Sequence, residues 1–215
     1  MAKKVGVIGS GVVARTLAKG FLYNHYEVFV GSRTPSKLEE WKEQLGKPVS
    51  IGSMSEAATF GDLIVLATKG SVSEEIIKSN SALLEGKTII DTTNPIADEP
   101  PVNGVIKFFT ANNESLMERL QKAAPKANFV KAFNSVGNAH MVNPKFNGDR
   151  PTMFIAGNSP EAKAQVTEIL EMFGWETEDM GLAESARPIE QLCILWCLPG
   201  FLRNQWNHAF KLYKA

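Results

Sequence analysis

The residues with the clearest chemical potential lie near the start of the chain, in the string Gly9-Ser10-Gly11-Val12-Val13-Ala14, which fits G-x-G-x-x-A. Alone such a string is weak. Here it follows an apolar run of strand character, Lys4–Gly9, and opens an amphipathic helix predicted over Val12–Tyr23. In that setting each small residue has a task. Gly9 makes the tight turn, Gly11 lets the backbone approach a diphosphate, and Ala14 lets the helix pack closely on the strand. Free amides and the positive end of the helix dipole then hold phosphate oxygens without a basic side chain. Gly9, Ser10, Gly11, Val12 and Val13 are the expected cradle.

The second chemical feature follows the next predicted strand, Tyr26–Gly31. A dinucleotide with a free ribose 2′-hydroxyl is met at this point by Asp or Glu. This chain has Gly31-Ser32-Arg33-Thr34 and no carboxylate. Ser32, Arg33 and Lys37 suit a 2′-phosphate, so NADP(H) is expected rather than NAD(H). A helix is predicted from Pro35 to Leu45, with Thr34 as N-cap, Pro35 in the first position and Gly46 as the stop. Cations are disfavoured at a helix N-terminus, and Glu at position 37 would have completed a capping box. Two cations there gain if an anion sits between them.

The elements that must position these residues alternate between strand-length apolar runs and helix-length amphipathic segments. Further strands are predicted over Asp62–Thr68, Lys87–Asp91, Phe129–Phe133, Thr152–Ala156 and Trp175–Asp179, with helices over Ser115–Ala124 and Pro160–Phe173. Residues 95–110, with Pro95, Pro100, Pro101 and Gly104, read as a loop. The fold class is α/β: a Rossmann-like, doubly wound, mainly parallel sheet with a short helical C-terminal extension. An NADP-binding domain is expected over 1–181 and the extension over 182–215, broken by Pro188 and Pro199 and packing on that domain or on a partner subunit. In an open α/β sheet the ligand crevice lies at the carboxyl ends of the strands, where Lys69, Asn94 and Asn134 fall.

Composition narrows the function classes. With 23 Lys and Arg against 23 Asp and Glu, the formal net charge of zero argues against a nucleic-acid binder. Cys193 and Cys197 suit one face of a helix, and neither a disulfide framework nor a metal site is expected. The apolar run after Lys3 and Lys4 is too short for an export signal, and the tract Cys193–Phe201 is short and interrupted by Pro199, so no membrane span is expected. A cytoplasmic setting fits. Leu192–Phe201 is too apolar to stay exposed, which points to a homodimer.

The chain resembles a known family, the NADP oxidoreductases that work with the deazaflavin coenzyme F-420. It also resembles the related cytosolic reductase domain of metalloreductases. The likeness is carried by Gly9–Ala14, Val30-Gly31-Ser32-Arg33 through Lys37, Ile90-Asp91-Thr92-Thr93-Asn94-Pro95, Val130-Lys131-Ala132-Phe133-Asn134 and Gly181-Leu182-Ala183-Glu184-Ser185-Ala186-Arg187. The resemblance implies that Ser32, Arg33 and Lys37 contact the 2′-phosphate and that Ser10–Val12 hold the pyrophosphate. It further implies that Thr68, Lys69, Gly70, Asn94, Pro95, Ala132, Phe133 and Asn134 surround the nicotinamide. Many relatives carry an apolar residue and proline where this chain has Thr68-Lys69-Gly70-Ser71.

The resemblance implies hydride transfer between NADPH and a small-molecule acceptor: coenzyme F-420, a flavin or a similar compound. Two stacked rings exchange hydride directly, so no catalytic side chain is required. Asn94 and Asn134 would orient the carboxamide or fix loop geometry, and Asp91 would anchor a loop. His140 is read as structural or as a proton shuttle. Two other readings stay open: a non-catalytic NADP(H) sensor, and a relative of pyrroline carboxylate reductases or β-hydroxyacid dehydrogenases, which build their substrate sites with a longer helical domain.

Overall fold

A computed structural model describes residues 3–146 and 148–214. Its centre is a strand stack whose side chains alternate between two cores. On β1 (Lys4–Ile8), Val5 and Val7 face one core and Ile8 the other. On β4 (Leu63–Leu66), Leu63 and Val65 face the first and Ile64 and Leu66 the second. Both faces are covered, so these strands read as unbroken apolar runs. The remaining strands are β2 (Glu27–Gly31), β3 (Ser50–Gly52), β5 (Thr88–Asp91), β6 (Asn128–Lys131), β7 (Thr152–Gly157) and β8 (Glu176–Asp179).

The eight strands lie in the order β3-β2-β1-β4-β5-β6-β7-β8. The first six are mutually parallel, β7 runs antiparallel to β6, and β8 is parallel to β7. The order turns back between β1 and β4, and a doubly wound sheet opens its ligand crevice at such a switch point. Helix α1 (Val12–Tyr23) and α6 (Pro160–Met172) cover the first core. The second core lies under α3 (Met54–Phe60), α4 (Gly70–Asn80) and α5 (Leu116–Ala123). Two helices complete the set: α2 (Glu39–Leu45) and α7 (Ala186–Arg203). The expected Rossmann-like α/β sheet is present.

Three expectations need correction. The segment after β2 is not one helix: Pro35–Leu38 forms a 3-10 turn, and α2 follows it. Thr34 does not cap that turn with its side chain, because its backbone is tied back, its N–H donating to Ser32 Oγ at 3.1 Å. The C-terminal helix is not broken. Pro188 sits in its first turn, where an N–H has no partner to lose, and α7 runs on through Pro199 to Arg203.

Three short elements, β3, α3 and α4, lie outside the strands and helices expected from the sequence pattern. A strand of three residues and helices of seven and eleven are short targets. Yet α3 carries a full capping box, Ser53 with Glu56, that was visible in the sequence. It lies so close to the sheet that a methyl on Gly6 would stand 2.0 Å from the Ala57 carbonyl oxygen. The stretch between β5 and α5 is a hairpin arm rather than an irregular loop. Ile96 bridges Phe108, Val102 bridges Val105, and Asn103 and Gly104 turn the tip with φ of 50° and 81°.

Candidate functional site

At the carboxyl ends of β1 and β4 one cavity of about 260 Å³ is lined by Gly9, Ser10, Gly11, Ser32, Arg33, Thr34, Lys37, Ala67, Thr68 and Lys69, with Met54, Val72 and Ile76 as an apolar wall. The glycine turn and the 2′-phosphate candidates, more than twenty residues apart in sequence, therefore face one space. A larger hollow of about 860 Å³, at the amino ends of β2 and β3, includes none of these residues.

The turn is built as its chemistry requires. Gly9 has φ of +133°, and a methyl there would lie 2.2 Å from the Ala67 oxygen, so backbone conformation and close approach both demand glycine. Gly11 differs: a methyl on it would meet nothing within 4 Å. Packing does not require glycine at this position, and the free space in front of it is where an anion could approach. Helix α1 starts there with no side-chain cap and no acidic residue in its first turn. Its N-terminal amides and dipole are left for a ligand.

Beside the turn, Ser32 is 5% exposed, and its hydroxyl donates to Ser10 Oγ at 3.1 Å while accepting from the Thr34 amide. This pair of serines locks the loop after β2 onto the glycine turn. Arg33 and Lys37 are exposed, and among the described residues neither joins an ion pair. The helix-dipole reason for expecting an anion between them weakens with the 3-10 turn. Their shared cavity replaces it.

Further along the strand ends, the Thr68 hydroxyl is bonded to Ser73 Oγ at 2.8 Å, and Lys69 pairs with Asp98 at the base of the hairpin arm. Gly70 opens α4 against Asn94, whose carbonyl oxygen would stand 2.0 Å from any Cβ there. Asn94 Nδ2 donates to the Asn134 carbonyl at 2.7 Å, and Asn134 Nδ2 donates to Asn94 Oδ1 at 3.1 Å and to the Ile189 carbonyl at 2.9 Å. The two asparagines thus clasp each other across β5 and β6. Pro95 is buried beside them. Ala132 and Phe133 are 0% and 1% exposed, and like Gly70, Asn94, Pro95 and Asn134 they do not line the cavity; Phe133 is held at φ of 61° and packed in the first core. Val12 is half exposed behind the turn, whereas Val13 packs partly into the core.

A cluster that the sequence did not announce lies directly beneath. The Lys131 ammonium contacts the Thr93 carbonyl at 2.7 Å, Asp91 Oδ2 at 2.7 Å and Glu190 Oε1 at 2.8 Å. Burial works against its charge, but Asp91 and Glu190 outweigh that effect and its pKa lies above the ordinary lysine value. Asp91 Oδ1 accepts from both the amide and the hydroxyl of Thr93, a loop-anchoring arrangement. Lys131 was visible only inside a motif, because nothing in a strand sequence reveals which carboxylates will surround a buried lysine.

Other candidates fall outside the cavity. His140 rests on Phe146, with ring centroids 4.6 Å apart. His208 stacks on Trp196 at 5.0 Å and exchanges hydrogen bonds with its backbone oxygen and ring nitrogen. Cys193 and Cys197 are free thiols, and a hydrogen bond between them together with burial pushes the Cys193 thiol up.

Residues 4–95 match the family of NADP oxidoreductases that depend on coenzyme F420. The resemblance read from the sequence is borne out. Over 208 residues the chain is 30% identical to metalloreductase STEAP3 of Rattus norvegicus, covering 94% of this chain and 39% of that protein. It is 32% identical over 216 residues to an NADPH-dependent reductive aminase of Aspergillus oryzae, covering 100% of this chain and 65% of that enzyme. A crystal structure from Arthrobacter sp. FB24, proposed to be an F420-dependent NADP-reductase, superimposes with a TM-score of 0.89 at 28% identity, covering 100% of both chains. The chain thus spans about two fifths of the metalloreductase relative it matches.

Proposed function

We propose that the chain binds NADP(H) and passes hydride between its nicotinamide and a flat redox acceptor, a deazaflavin, a flavin or a similar compound. The observation that carries this reading is the single cavity joining the Gly9–Gly11 turn to Ser32, Arg33 and Lys37, with no carboxylate at the end of β2. The α1 amides and the space before Gly11 suit a diphosphate. Arg33 and Lys37 suit the 2′-phosphate, and Met54, Val72 and Ile76 offer an apolar wall to the adenine. Thr68, Lys69, Gly70, Asn94 and Asn134 border the nicotinamide end.

The nicotinamide, when bound, supplies the hydride itself. The protein's part is to align two rings and keep water away, and the clasped asparagines at the strand ends suit that task. The test is steady NADPH oxidation with free flavin or deazaflavin. Turnover that disappears in Arg33→Ala supports the reading. Tight NADPH binding without turnover across an acceptor panel would make the chain a sensor instead.

The same reading includes a homodimer in a reducing cytoplasmic setting. Along α7, Leu195, Phe201 and Leu202 are 54%, 45% and 55% exposed, an apolar surface that a second copy would cover. No helix among the described residues is long and apolar enough to cross a membrane. Sedimentation of the wild type and of Leu195→Glu tests the pairing; a wild type that sediments as a monomer would remove the dimer from the proposal.

A further inference from the structure

The hollow of about 860 Å³ at the amino ends of β2 and β3 has a lining of its own. The length of β2, about 16 Å from Glu27 to Ser32, separates it from the dinucleotide crevice. Val28 and Val49 are buried in its walls, and Tyr26 and Phe60 add two half-buried rings. Its volume and its mainly apolar, aromatic walls are those of a small-molecule site.

The charges around it are unevenly placed. Lys42 and Lys47 line the hollow half-buried, whereas the two lining glutamates, Glu27 and Glu43, are exposed to water. His25 joins the lysines at the rim, held at φ of 65° in the position after the α1 cap where glycine is usual. Nearby ammonium groups rest on aromatic rings: Lys3 on Tyr26 at 5.7 Å, Lys4 on Phe60 at 5.4 Å and Lys47 on Tyr23 at 4.5 Å. Among the described residues none of Lys3, Lys4, Lys42 and Lys47 joins an ion pair. A ring face holds a cation only weakly where water is near, so these groups stay open to an anion.

We propose that this hollow binds an aromatic organic acid, a flat apolar ring system carrying one acidic group. The rings lie against Tyr26, Phe60 and the two valines, and the acidic group meets Lys42 and Lys47 at the rim. The proposal stands apart from the NADP(H) reading, because the two cavities share no residue. A ligand held a strand's length from the crevice is also too distant to exchange hydride with a nucleotide there.

Anilinonaphthalene sulfonate and the uncharged phenylnaphthylamine, which has the same rings without the sulfonate, are the probes. Fluorescence titration of the native protein should show one equivalent of the sulfonate bound about 5- to 12-fold more tightly than the amine, between the worth of an exposed ion pair and that of a sheltered charged hydrogen bond. The double variant Lys42→Glu, Lys47→Glu should bind the two probes alike. Ser50→Trp, which fills the hollow from an exposed position of its lining, should bind neither. Removing the cations of the other cavity, in Arg33→Ala, Lys37→Ala, should leave both affinities unchanged. A wild type that binds the two probes equally, or binds neither, overturns the proposal. So does sulfonate binding that survives Ser50→Trp, or that is lost with Arg33 and Lys37 and kept without Lys42 and Lys47.

Discussion

Lys131 on β6 and Glu190 on α7 meet at 2.8 Å with their side chains 0% and 2% exposed. Glu190 has a second duty. Its carboxylate oxygens accept from the Leu116 and Met117 amides at 2.9 and 3.1 Å, so it caps α5 from another helix. One buried ammonium therefore holds two strand ends, a helix start and the C-terminal helix together.

Replacing that ammonium should be costly. Lys131→Met leaves Asp91 and Glu190 buried without a cation, which predicts a loss of about 3–5 kcal/mol in stability. Urea denaturation at neutral pH would read it. Adding Asp91→Asn and Glu190→Gln should recover part of the loss, since uncompensated charge rather than lost packing drives it. A single variant as stable as the wild type would show that the cluster contributes little.

Arg33 should decide between the two dinucleotides. A hydrogen bond to a charged group contributes about 1.5–3 kcal/mol, so Arg33→Ala should weaken NADPH binding by about 10- to 150-fold. NADH, which lacks the 2′-phosphate, should bind nearly as before. Titration of both nucleotides checks this, and equal weakening would remove Arg33 from the phosphate site.

The two glycines of the turn should respond in opposite ways. Gly9→Ala forces a side chain to φ of +133° and into the Ala67 carbonyl, so it should lower the melting temperature. Gly11→Ala meets nothing and should leave melting unchanged while reducing nucleotide affinity. Thermal melts with and without NADPH separate the effects. A Gly11→Ala protein stabilised by NADPH as strongly as the wild type would place the diphosphate elsewhere.

Acid should expose the Glu118–Arg187 pair. The Arg187 guanidinium, 2.6 Å away, is the main cause that brings the Glu118 carboxyl down to about 2 from 4.5, with Ser115 assisting and burial opposing. A carboxylate whose pKa is lower in the folded state adds stability above its unfolded value and loses it as pH falls. The stability gap between wild type and Arg187→Gln should therefore persist down to about pH 4.5 and close towards pH 2. A gap that is constant across that window would assign the pair no electrostatic role.

How much was legible beforehand depended on how local the cause was. The β1 turn and α1 were readable because strand period, glycine spacing and helix period coincide within twenty residues. The 2′-phosphate candidates were readable because the missing carboxylate is a local fact. Thr34 departs from a capping role because its amide donates to Ser32 Oγ, whose hydroxyl is in turn tied to Ser10 across twenty-two residues. Short α3 carries its start signal in Ser53 and Glu56, but its fully buried residues are only Ala57 and Ala58, too few to set a helical period. The Lys131 cluster could not be read at all. Its carboxylates lie forty residues upstream and fifty-nine downstream, and the pairing of β5 with β6 brings in Asp91 while the packing of α7 brings in Glu190.

The reach of Glu190 also bears on modularity. A fragment ending at Gly181 would retain every residue of the glycine turn and the serine–arginine loop. It would nevertheless lack the carboxylate that caps α5 and half of the charge balancing Lys131, and the carbonyl that fixes Asn134 would be gone. Such a fragment should not behave as a portable nucleotide-binding cassette. In this chain the last helix is a keystone, set last and holding the arch.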